Sequence, residues 1–443
     1  MRTLKILLML AAIGLTRPAA AQVYRPETFR LPNGLDVVVV DNPRVPAVAV
    51  MVWYRAGAAD EAIGKGGIAH FLEHLMFKGT PSVGPGEYAR IIGREGGTQN
   101  AFTGHDYTSY WSEVASDRLE MVLKLEADRM VNLELSDAAV LPERDVILEE
   151  RSQVVDNRPA SQFGEQARAM LFQHYPYRLP VIGWRHEMQK LTREDAIAWY
   201  RRYYAPNNAI LVVAGDVDVA RLKPLAEKYF GPIPARPIPE RFRPDEPPPR
   251  AARRLTMKDE QIGTASISRT YQAPSYRYGD TKHAYALQVL AELFGGGATS
   301  RLNRTMVVER PLATSAGSYY EANAIGPGTF GLYASPRQGT SVDEAEAALD
   351  AALEKLIADG PTDDEVARAK QRLSAASAFA RDSLRGPAMA LGAALAIGRS
   401  IEDVESWPKR IDAVTKDEVT AAARAVLRPE ASVTAILLPK PTS

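Results

Sequence analysis

Short apolar runs of strand length alternate along this chain with longer segments whose apolar residues recur every three or four positions. Leu35 to Val40, after the turn signal Asn33-Gly34, and Ala47 to Tyr54 predict strands. Residues 96–114 read as strand, 117–133 as helix, 136–156 as a second helix, and Ala209 to Gly215 as an apolar strand. Strands and long helices alternate without the even period of a parallel barrel, which predicts an α+β fold. Between Gly231 and Arg250 the pattern stops, and prolines fall at 232, 234, 237, 239, 244, 247, 248 and 249. Such a segment is extended and stiff, and it divides the chain into two segments of similar length. The apolar stretch Pro387 to Gly398 is too short to span a bilayer and reads as core.

One helical segment carries chemistry. In His70-Phe71-Leu72-Glu73-His74 the two imidazoles are one turn apart. At about 100° per residue, His70 and His74 stand about 40° apart and Glu73 about 60° from His70. Ile68, Phe71, Leu72, Leu75 and Met76 take the opposite face. One side is built for a core, and the other presents two nitrogen ligands and a carboxylate, the inverzincin order H-x-x-E-H. A lone helical histidine is usually packed or at the surface. This chain holds six histidines in all, so at average composition the motif arises by chance in about one protein in a hundred or fewer. His105, His174, His186 and His283 have no paired spacing and read as surface or structural.

Hydrolytic zinc takes three protein ligands and keeps one position open, and the chain has no cysteine to offer. The helix from Pro142 to Val155 supplies two adjacent acids. Glu149 lies with Asp145, Ser152 and Gln153 on the wet side, whereas Glu150 lies with Val146, Ile147 and Val154. Glu143, seven residues earlier, returns to within about 20° of Glu150. An inward carboxylate needs a cation or strong donors. Glu150 is therefore chosen as third ligand and Glu143 as the residue that orients a ligand or the water. The alternative for both is a salt-bridged surface acid.

Gly66 to Thr80, with its H-x-x-E-H, resembles the signature of the pitrilysin, insulin-degrading enzyme and mitochondrial processing peptidase family. The Glu143–Glu150 helix resembles it too, and the 76 residues from His74 to Glu150 match its processing-peptidase branch. Gly96 to Thr103 resembles the family's active-site edge strand, which implies that Asn100 and Ala101 bind substrate backbone by strand addition. The resemblance implies two homologous domains, each a mainly antiparallel sheet flanked by helices. Their expected bounds are 22–230 for a catalytic zinc domain, 231–250 for the linker and 251–443 for a domain without a metal site. A repeat within the chain agrees: Ser136-Asp137 is echoed by Thr362-Asp363, which sets Ala369 and Ala376 against Glu143 and Glu150. Val289-Leu290-Ala291-Glu292-Leu293 likewise meets Phe71-Leu72-Glu73-His74-Leu75.

The activity so implied is zinc-dependent endopeptidase action on peptides or unfolded segments in an enclosed chamber, with Glu73 as catalytic base. The family also uses an Arg and a Tyr seven residues apart in the second domain. Val307 and Thr314 stand in those places and have no equivalent chemistry, with Arg310 or Tyr319 as alternatives through a register shift. The expected partner is therefore a homologous second subunit that supplies the pair, in a heterodimer. The alternative is a non-catalytic structural or assembly subunit of the same fold.

Composition narrows the setting. Among 443 residues, 54 basic balance 54 acidic side chains, with no basic run to suggest nucleic acid. Arg2 and Lys5 precede the apolar run Ile6 to Leu15, and Ala19-Ala20-Ala21 offers a cleavage site before Gln22. Residues 1–21 thus read as a signal peptide, with a retained anchor as the lesser alternative and no membrane span after cleavage. An exported chain without disulfides points to the periplasm, with full secretion as the alternative.

Overall fold

The computed structural model describes residues 23–440, so the signal-peptide reading falls outside the described residues. Six strands form the first sheet: β1 (Glu27–Arg30), β2 (Asp36–Asp41), β3 (Ala47–Tyr54), β4 (Thr98–Thr103), β5 (Thr108–Ala115) and β6 (Ala209–Gly215), in the order β1-β2-β6-β3-β5-β4. Five form the second: β7 (Arg253–Asp259), β8 (Ser266–Ala273), β9 (Ala313–Glu321), β10 (Gly328–Pro336) and β11 (Ser432–Pro439), in the order β7-β11-β8-β10-β9. The orders superpose strand for strand from β2 and β7 onward. In each sheet only the pair that joins the first of these strands to the last is parallel, β2 with β6 and β7 with β11. The fold is α+β with two sheets of one topology.

β3 and β6, in the middle of the first sheet, read as unbroken apolar runs because both of their faces are covered. Along β3, Val48, Val50, Val52 and Tyr54 enter the main core, while Met51 and Trp53 enter a second cluster on the reverse face. Along β6, Ala209, Leu211 and Val213 alternate in the same way with Ile210, Val212 and Ala214, the period-two pattern of a pleated strand. The reverse face is closed by the helix Gly386–Ala396, through Ala388, Leu391 and Ala396. A Cβ on its Gly392 would lie 2.1 Å from Trp53 Nε1, so only glycine admits this contact. The helix Pro159–Leu171 performs the reciprocal task, seating Phe163 against Ala435 and Leu437 of β11. Each sheet is thus covered by a helix from the other half of the chain.

The Pro-rich segment forms neither helix nor strand and is strapped down by charge. Arg241 and Arg243 pair with buried Asp60 and Asp106, and Glu246 accepts the backbone amides of Gln173, His174 and Tyr175. The 96–114 strand of the sequence pattern is a hairpin, β4 and β5, turning at residues 104–107. That leaves β4 as an edge of the first sheet.

Candidate metal centre

The histidine helix runs Ile68–Leu75 and buries Ile68, Ala69, Phe71, Leu72 and Leu75. Its first turn is fixed by carboxylates that accept otherwise unpaired amides. Glu61 takes Gly67 N at 2.9 Å and Ala69 N at 3.0 Å, and Glu187 takes Gly66 N at 2.7 Å. Gly67 caps the helix at φ 87°, a left-handed conformation open to glycine.

The glutamate helix runs Asp137–Arg151 and is capped by Ser136, whose side chain accepts Ala139 N. Pro142 therefore sits inside this helix, not at or before its first turn as the sequence pattern suggested. Its inward stripe is Glu143, Ile147 and Arg151. Val146 and Val154, taken from the sequence as buried, are 49% and 39% exposed. Glu150 lies at the border of the two faces, half-buried, while Glu149 is exposed.

The two helices bring His70, His74 and Glu150 together, the one such group among the described residues, with a ligand atom from each within 4.8 Å of the others. Glu150 Oε2 lies 3.2 Å from His74 Nε2 and 3.7 Å from His70 Nε2. Glu143 Oε1 meets His74 Nδ1 at 2.9 Å, and its other oxygen pairs with Lys78. Glu73 Oε2 accepts a 2.6 Å hydrogen bond from Thr103 Oγ1, at the end of β4. Asn100 and Ala101 lie midway along β4, paired on their inner side with Trp111 and Tyr110.

Electrostatics separates the two imidazoles. Burial, then the neighbouring His74, pushes the His70 pKa down to about 3. Burial also works against the His74 cation, but the Glu143 hydrogen bond and the charges of Glu150, Glu73 and Glu143 outweigh it, so the His74 pKa is raised. Burial raises Glu73, against the Thr103 hydrogen bond. Glu143 is held below the usual carboxylate range: hydrogen bonds from His74 and Lys78 outweigh its burial.

A divalent cation fits this donor set. His70 is neutral at physiological pH, its Nδ1 is buried without a partner, and its Nε2 is too far from Glu150 for a hydrogen bond. A buried polar ring with neither nitrogen bonded is costly. An ion between Nε2 and Glu150 would satisfy the Nε2 lone pair and the carboxylate charge, leaving only Nδ1 without a partner, and two imidazoles with one carboxylate suit zinc, whose bonds are about 2.0–2.2 Å.

Residues 36–184 match the family described as Insulinase (Peptidase family M16), and residues 190–373 match the description Peptidase M16 inactive domain. An uncharacterized zinc protease of Mycobacterium tuberculosis is 32% identical over 93% of this chain and 92% of its own length. The chain belongs to the M16 family. A crystal structure of a protease from Helicobacter pylori superposes with a TM-score of 0.87 at 28% identity, covering 94% of this chain and 100% of that one. The periplasmic protease PqqL of Escherichia coli has the same fold, with a TM-score of 0.80 at 20% identity, and this M16 chain spans 48% of its length. The second matched range begins before β6, which belongs to the first sheet, so the family ranges and the sheets divide the chain differently.

Lys78 and Thr103 are the neighbours that sequence reasoning missed. Lys78 stands four residues beyond His74, a spacing that could have flagged it. Nothing local marks Thr103, which reaches Glu73 from another element.

Proposed function

We propose that this M16 chain is a zinc-dependent endopeptidase, with His70, His74 and Glu150 as metal ligands and Glu73 as catalytic base. The observation that carries it is the convergence of these ligands from two helices around an imidazole that has no other partner. Zinc, when bound, polarises the substrate carbonyl and acidifies a water molecule. Glu73 accepts the water proton and passes it to the leaving amine. Its raised pKa suits both transfers, and the Thr103 hydrogen bond ties up one oxygen and leaves the other free. Glu143 fixes the His74 ring, so that Nε2 faces Glu150 and Nδ1 faces away. The free edge of β4 takes an extended peptide by strand addition, with Asn100 and Ala101 in contact with it.

The enzyme acts beside a homologous second subunit. Val307 lies partly buried against the second core, and Thr314 bonds its own sheet through Ser335 O. Neither offers a donor for a developing oxyanion, a contribution typically of about 3–4 kcal/mol. Arg310 just precedes β9, and Tyr319 stands on it. The domain bounds are 22–230, 231–250 and 251–443, after a cleaved signal peptide, and the compartment is the periplasm. Among the described residues no helix is long and apolar enough to cross a membrane. The missing Arg/Tyr pair also favours a second reading, a non-catalytic subunit of this fold. Cleavage of an unfolded protein by the chain alone, by the Glu73→Gln variant, and by the chain with its partner separates the two. Glu73-dependent turnover supports the enzyme, and none in any mixture supports the subunit.

A further inference from the structure

Arg151 follows Glu150 directly and is among the least exposed charged residues of the chain, at 4%. Its guanidinium forks onto Glu165, Nη1 to Oε1 at 2.9 Å and Nη2 to Oε2 at 2.8 Å. Nη1 also donates to Gly183 O at 2.7 Å. That carbonyl belongs to a loop pressed onto the start of the histidine helix: a Cβ on Gly183 would lie 2.6 Å from Gly66 O and from Gly67 Cα. Glu165 sits on the helix Pro159–Leu171, which packs on the second sheet through Phe163. One buried side chain therefore joins three things: the turn carrying Glu150, the loop against the His70–His74 helix, and the helix gripped by the second domain.

We propose that Arg151 is a positioning residue, holding Glu150 in register with His70 and His74 through Glu165 and the Gly183 carbonyl. This rests on the zinc reading above. The helix is followed at once by a π turn, Ser152–Asp156, a local distortion common at functional sites. A fixed anchor at its mouth keeps that turn from letting Glu150 swing. In the second domain the alignment sets Ala376 and Ser377 against Glu150 and Arg151. The fold makes the equivalent helix there without such an arginine, so the residue follows the ligand and not the architecture.

The test is the zinc dissociation constant, by competition with a chromophoric chelator, on the full chain. Arg151→Gln and Glu165→Gln are each expected to raise it by about tenfold to a hundredfold. The double variant should go no further than the weaker-binding single, because both break one clamp. Circular dichroism of the metal-free proteins checks folding. A purely structural role would lower the melting temperature and leave the zinc constant alone. Removing one partner of a buried pair is strongly destabilising, so Arg151→Lys, which keeps the charge and loses the fork, is the second variant. A rise of threefold or more in whichever of these variants folds supports the inference, and a smaller one overturns it. Zinc retained in Arg151→Gln but lost in Glu150→Ala overturns the positioning role alone. Absence of zinc binding in the wild type overturns the function it rests on.

Discussion

The two domains set the same pair of helices against the same sheet topology and differ in what crosses between those helices. In the first, His70 and His74 face Glu150 and Glu143. In the second, Glu292 stands where His74 would be, on Ala284–Gly295, and Arg372 stands where Val146 would be, on Asp363–Asp382. Arg372 Nε meets Glu292 Oε1 at 2.5 Å, and Ala369 and Ala376 replace the two acids. The second gap is closed by opposite charges that satisfy each other. The first collects carboxylates around one neutral imidazole and one readily protonated, with Lys78 spent on Glu143. It has a surplus of donor atoms that a proton on His74 or a further cation balances. The scaffold is the same, and the chemistry is carried by a few side chains grafted on it.

One substitution separates base from ligands. Glu73→Gln should bind zinc as the wild type does and lose turnover by about a hundredfold to ten-thousandfold. Zinc loss, or near-normal cleavage, would defeat the role of Glu73. Next, Glu143→Gln should weaken zinc by about tenfold to a hundredfold, read by chelator competition. Unchanged affinity would make the Glu143 contact a bystander.

Acid sharpens the contrast further. The His74 pKa is raised above its ordinary 6.5, whereas His70 stays neutral down to about 3. Zinc needs neutral imidazoles, so its affinity should fall as pH drops through the raised His74 pKa, with zinc binding releasing one proton in that window. The metal-free fold has the opposite dependence on His74: its stabilisation is present below 6.5 and lost as pH rises through the folded value. Titration calorimetry at pH 6 and 8 checks the sign, and equal zinc affinity at both would contradict it. The smallest effect belongs to the second domain. Arg372→Gln should cost about 1 kcal/mol, since the pair is partly exposed, and leave zinc affinity unchanged. A change in zinc binding would mean that the domains are not independent in this respect.

Much of this contrast could be read from sequence, for physical reasons. His70, Glu73 and His74 are local on one helix, and helical spacing alone puts them together. Helical spacing favours Glu150 over Glu149 by its place beside Val146 and Val154, yet both valines are exposed. The structure places Glu143 and Ile147 inward and Glu150 at their border, 3.2 Å from His74 Nε2. The 136–156 pattern finds the start of this helix, which Ser136 caps, while Pro142, which usually opens a helix, lies inside it. The capping of Ser136 and Thr362 was legible, and so was the repeat they mark. The exchange of covering helices was not. The Pro387–Gly398 stretch announces burial, but its nearly uniform apolarity does not say which sheet it covers.

One metal ion held jointly by His70, His74 and Glu150 is what the proposed function requires. The decisive measurement is zinc content after equilibrium dialysis of the wild type and of Glu150→Ala. The expected result is one zinc per wild-type chain and almost none in the variant, with both proteins folded. One zinc per chain in both, or none in either, would contradict it.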